Sequence, residues 1–159
     1  MTRIAALAAI PLAAMVLFSA CSRKALAPSP ADTARELLAL HGLVGRQPED
    51  RSEADRKRPV DRKALTALFS DYATTDPFLA DLYVGFLVGA LARNQGDLRV
   101  TVQGKRAVVQ AGKLGVALEL RERTWLISLA ASVPDGIKRR ALEEKVRYEN
   151  ARAAGQAVR

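Results

Sequence analysis

The sequence predicts an α+β fold, and three observations predict it. Apolar residues recur at helical spacing through the first half of the chain, the period switches to two after Gly96, and a charged segment of helical spacing closes the chain. The expected order is three N-terminal helices, a four-stranded antiparallel β-meander and a C-terminal basic helix, forming one domain over residues 31–159.

The first helix is expected to open at Thr33. Thr33 and Glu36 stand at capping-box spacing, Ala34, Leu37, Leu38 and His41 line one side, and Gly42 supplies a stop. Residues 45–59, GRQPEDRSEADRKRP, are almost wholly polar and carry both signs of charge. They form a solvated insertion, either a loop or a short helix supported by Glu53 and Lys57 at the favourable i, i+4 order. Loops of this length often bind partners.

Asp61 caps the second helix, whose apolar face is Ala64, Leu65, Leu68 and Tyr72. Asp76-Pro77 opens the third, a cap followed by proline at the first helical position. Its segment 82–92 carries no charge, which predicts burial on every side between the sheet and the other helices. Gly85 and Gly89 would let a second backbone come close. A membrane-dimer role for them conflicts with Asp81 and with the short span of residues 78–92.

Leu98, Val100 and Val102 alternate with Arg99, Thr101 and Gln103, and Gly104 then allows a turn. Residues 106–111 form the second strand. Val116, Leu118 and Leu120 mark the third, and Trp125, Ile127 and Leu129 the fourth. One apolar face should be covered by helices and the other wet, with Trp125 in the core. Ser132-Val133-Pro134-Asp135 marks the start of the last helix, over 134–153. Ile137, Ala141, Leu142 and Tyr148 should pack on the domain, leaving a basic surface on which Arg139, Arg140 and Arg147 are the candidate partner-binding residues.

Ahead of this domain stands a leader. Arg3, an apolar run over 4–18 and small residues before the lone cysteine, Cys21, have the three-part form of a secretory signal. The run Phe18-Ser19-Ala20-Cys21 resembles the lipobox of bacterial lipoproteins, with Phe18 where Leu is usual. That resemblance implies a signal peptide over 1–20, cleavage before Cys21, and acylation of its sulfur and new amino group. It also implies a cell-envelope address. Ser22, not Asp, follows the anchor residue, which in the same resemblance implies transfer to the outer membrane, facing the periplasm. Residues 21–30 are small and proline-rich and read as a lipidated tether, with Arg23 and Lys24 set to meet anionic lipid.

Lys and Arg total 25 against 17 acids, a net charge of +8. The expected partners are the membrane, through lipidated Cys21, and an anionic envelope surface or an acidic envelope protein. Nucleic acid is not expected at that address.

The order of helices followed by a sheet closed by the strand at Trp125-Leu126-Ile127 resembles the NTF2-like, or cystatin-like, α+β proteins. Their cone-shaped cavities imply a small-ligand pocket beside helix 77–92, for which Asp81, Tyr83 and Trp125 are the candidates. Fold alone does not assign function. His41 is the sole histidine, and no phosphate loop, HExxH, GxSxG or CxxC occurs. No catalytic residue, metal site or cofactor is therefore assigned. The expected role is a non-catalytic interaction or structural module, with a ligand-binding domain or minor enzyme as the alternative.

Overall fold

The computed structural model describes residues 28–155. Helix α1 (Pro30–Leu40) begins ahead of Thr33 because Ser29 and Asp32 form the capping box. The Asp32 backbone N–H donates to Ser29 Oγ at 3.2 Å, and the Ser29 N–H donates to Asp32 Oδ2 at 2.9 Å. Pro30, expected in the tether, takes the first helical turn, where a missing N–H costs nothing. Thr33 is buried instead of capping, and its hydroxyl donates to the Trp125 carbonyl at 3.2 Å.

The charged insertion adopts the helical alternative. A 3₁₀ turn at Pro48–Asp50 precedes α2 (Glu53–Lys57), capped reciprocally by Ser52 and Asp55 and carrying the Glu53–Lys57 ion pair at 2.6 Å. Two side chains of the body, Arg93 and Gln95, hold it. Arg93 reaches Glu49 at 3.1 Å, and the Gln95 amide donates to the carbonyl of Arg46 at 2.9 Å while its oxygen accepts from Gly45 N at 2.7 Å.

Asp61 caps α3 (Arg62–Ala67) and Asp76 caps α4 (Pro77–Arg93), both at the expected places. The uncharged stretch of α4 is nonetheless buried on one side only. Tyr83, Val84, Leu87, Val88 and Leu91 face inward, while Leu82 and Gly85 are exposed and Phe86 is half-buried. Helix α1, not α4, lies across the sheet, so α4 forms an outer layer against α1 and α6 and keeps a solvent face. No backbone approaches Gly85, so its lack of a side chain is not used for close packing.

The sheet is the expected meander, with β1 (Leu98–Gln103), β2 (Arg106–Ala111), β3 (Leu114–Arg121) and β4 (Thr124–Ile127) paired antiparallel in sequence order. The register sets Val100 opposite Val109, Val109 opposite Val116, and Leu118 opposite Ile127, so alternate residues share one apolar face. Helix α1 packs over that face against β1, β2 and β4. It does not shield the far part of β1, where Val100 and Val102 remain 40% and 51% exposed, against the expected full cover. The outer edge of β4 is closed, because Ile127 N donates to the Leu68 carbonyl at 2.8 Å and Ser70 N to the Ile127 carbonyl at 2.9 Å.

Leu129 does not extend β4. It begins α5 (Leu129–Ser132), whose first N–H groups are captured by Asp71, with Leu129 N at 2.8 Å and Ala130 N at 3.0 Å from its carboxylate. Ser132, expected near a cap, is buried, and its hydroxyl accepts from Ala117 N at 2.9 Å in place of a ladder bond. Helix α6 (Asp135–Ala153) follows Pro134. It packs through Ile137, Ala141 and Tyr148 as expected, with the Tyr148 ring 5.1 Å from that of Phe78.

Candidate functional site

Four carboxylates stand in sequence beside the apolar elements, Asp71 and Asp76 half-buried and Asp81 and Asp97 exposed, and the fold gives each a partner. Asp71 caps α5 and also accepts from the Ser128 hydroxyl at 3.1 Å. Asp76 caps α4 and pairs with Lys145 at 2.7 Å. The Lys145 ammonium beside it holds the Asp76 carboxyl below the usual carboxylate range, helped by the Leu79 N–H. Asp97 pairs with Arg99 at 3.2 Å. Asp81 receives both arms of Arg62, at 2.9 and 3.0 Å, and the Tyr72 hydroxyl at 2.8 Å. With both oxygens engaged, Asp81 has the bonding of a structural anion, not of a base poised for substrate.

The candidate pocket of Asp81, Tyr83 and Trp125 is not assembled. Asp81 and Tyr83 stand two apart on α4, which turns their side chains roughly 200° from each other. Asp81 is exposed, whereas Tyr83 and Trp125 are both buried in the core. Leu37, Leu87, Val109, Val116 and Ile127 occupy that core with essentially no exposure.

Asp81 instead lines a groove outside the core. Two adjoining depressions share His41, Pro59 and Val60; one continues to Arg51, Asp55 and Arg58, the other to Arg62, Asp81 and Gly85. His41 Nδ1 lies 2.9 Å from the Leu37 carbonyl, which can only accept, so Nδ1 carries the proton and Nε2 keeps the lone pair. Burial lowers the His41 pKa, and the nearby Arg51 charge lowers it further. Arg51 Nη2 donates to the Asp55 carbonyl at 2.6 Å, while its Nε is buried without a partner. No pattern in the sequence distinguishes Arg51, one arginine among several in the insertion.

The C-terminal helix carries a second, uncovered stripe. Leu142, expected to pack inward, is 53% exposed, and Val146, one turn on, is 49% exposed. Ala141 faces the domain, and a residue one step along a helix is rotated by about 100°, which carries Leu142 off that contact. Leu142 and Val146 form a shallow apolar strip flanked by Arg139, Glu143 and Arg147. Arg139 and Arg140 have no ion-pair partner among the described residues, and Arg147 has one long contact, 3.8 Å to Glu144. The basic residues singled out from sequence are thus displayed together with an apolar strip that was not.

No family model, curated protein or solved structure matches this chain. Cys21 lies outside the described residues.

Proposed function

We propose that this chain is a lipid-anchored cell-envelope protein, held through acylated Cys21 and acting as a non-catalytic interaction module. The proposed address is the outer membrane, facing the periplasm. The leader and lipobox-like run support the anchor and the address. A multiply acylated residue gives a stable anchor, which a single chain does not.

One observation carries the interaction role: Leu142 and Val146 are about half exposed between Arg139 and Arg147, on a helix whose opposite side is occupied by the domain. Apolar contact area bordered by arginine is the composition of a binding patch, and the excess of Arg139, Arg140 and Arg147 over Glu143 and Glu144 around it favours an acidic partner. The proposed partner is an acidic protein of the envelope.

The test uses the full chain with Cys21→Ser, which cannot be acylated, added to isolated envelopes. Retention at low salt is expected, with loss when Arg139 and Arg147 are both replaced by Glu. Failure of the unreplaced form to be retained at low salt overturns the interaction role.

A further inference from the structure

The path of α1 shows which end of the domain faces the anchor. Near its start, Thr33 donates to the Trp125 carbonyl, and Trp125 is paired with Leu120, next to the β3–β4 turn. Beyond its other end, Gly45 N donates to Gln95, just ahead of the opposite end of β1. Helix α1 therefore crosses the sheet from its β4 edge toward β1, with Ser29 at the end that bears the turns at Gly104-Lys105 and Glu122-Arg123. These two turns are neighbours, since Leu120 N donates to the Lys105 carbonyl at 2.8 Å.

Only eight steps of chain separate Ser29 from Cys21, a reach of at most about 29 Å. An acylated Cys21 therefore makes this end of the sheet, the one nearest the tether, the end that reaches the bilayer surface first. Lys105, Arg106 and Arg123 are exposed there without ion-pair partners among the described residues, and Arg121 is paired with Glu119. Val102, 51% exposed, lies one residue pair in from the turn. The β3–β4 turn is also conformationally costly. Glu122 and Arg123 have φ of 46° and 71°, values that a two-residue hairpin turn normally fills with Asn-Gly. Keeping charged side chains in a strained, solvent-facing turn is consistent with their use at a surface.

We propose that this end of the sheet, presenting Lys105, Arg106 and Arg123 with Val102 beside them, rests on the anionic phospholipid headgroups of the bilayer that holds Cys21. The placement rests on the lipid-anchor reading above. It adds an orientation to that reading: the hairpin turns face the membrane.

The experiment takes the native protein purified from membranes, in vesicles of phosphatidylcholine alone or mixed with phosphatidylglycerol, and follows backbone amide exchange at Lys105, Glu122 and Arg123. Exchange is expected to slow about tenfold in the anionic vesicles. The effect should vanish in about 1 M salt, where the screening length falls to about 3 Å. It should also weaken in Lys105→Glu and in Arg106→Glu, the latter lying outside both turns. Equal exchange in the two vesicle types, with acyl mass present on the protein, overturns the docking and leaves the anchor standing. Protection seen only in whole envelopes assigns this end to a protein partner and also overturns it. Absence of acyl mass from the same sample removes the anchor and the docking together.

Discussion

The Thr33 hydroxyl donates to the backbone carbonyl of Trp125 across 3.2 Å, joining the first turn of α1 to the last strand of the sheet. The contact is buried and spans most of the domain in sequence, so it fixes how the first turn of the helix lies against the sheet. Replacing Thr33 by Val keeps the shape and removes the donor, leaving the carbonyl without this partner. An unfolding free energy lower by about 1–2 kcal/mol is expected in urea titration. Thr33→Ser, which keeps the hydroxyl, should lose less. Equal losses in both variants would count against the bond.

Asp71 accepts from Ser128 Oγ, Leu129 N and Ala130 N, so it caps a helix far from it in sequence. Asp71→Ala should cost about 1–3 kcal/mol, with amide exchange accelerated first over α5. An unchanged exchange pattern there would show that α5 forms without the carboxylate.

Two pH windows should separate in stability. Burial lowers the His41 pKa below 6.5, so between 6.5 and that folded value the unfolded chain binds the extra proton. Stability therefore falls as the pH is lowered through this window, and His41→Gln should flatten that part of the profile. Asp76 is lowered below 3.8 by Lys145, so its contribution is present above 3.8 and is lost as the pH falls toward the folded value. Asp76→Asn should lower stability throughout the range above 3.8 and flatten the acidic limb of the profile. Thermal unfolding midpoints measured across pH check both assignments.

Two turn positions should respond in opposite directions to changes at a left-handed residue. Gly112 has φ of 60°, and an added Cβ would meet Asn94 Oδ1 at 2.5 Å. Gly112→Ala is expected to destabilise by about 1–3 kcal/mol. Arg123, at φ 71°, is strained already, so Arg123→Gly should stabilise by about 1 kcal/mol. Calorimetry on the two variants reads both signs.

Sequence patterning made the local elements legible and left the long-range choices open. Alternation is strict in β1 and partial in β3 and β4, and Asp61 and Asp76-Pro77 mark two helix starts because each cap acts within its own first turn. Ser29-Pro-Ala-Asp32 and Thr33-Ala-Arg-Glu36 both have capping spacing, and only the bond from Thr33 to a strand distant in sequence decides between them. Leu129 continues the alternation of β4, yet Asp71 caps a helix there, a partner that periodicity does not reveal. The uncharged face of α4 did not imply complete burial, because hydropathy does not say which helix lies on the sheet. In the candidate site, the basic residues of α6 were legible by charge. The exposure of Leu142 and Val146 was not, since it depends on how the helix is rotated about its axis against the domain.

Both the address and the orientation of the domain require acylation of Cys21, and the intact mass of the native protein extracted from its membrane tests it directly. The predicted result is a chain that begins at Cys21 and carries added fatty-acid mass on that residue. A chain that retains Met1, with an unmodified Cys21 thiol, would contradict it.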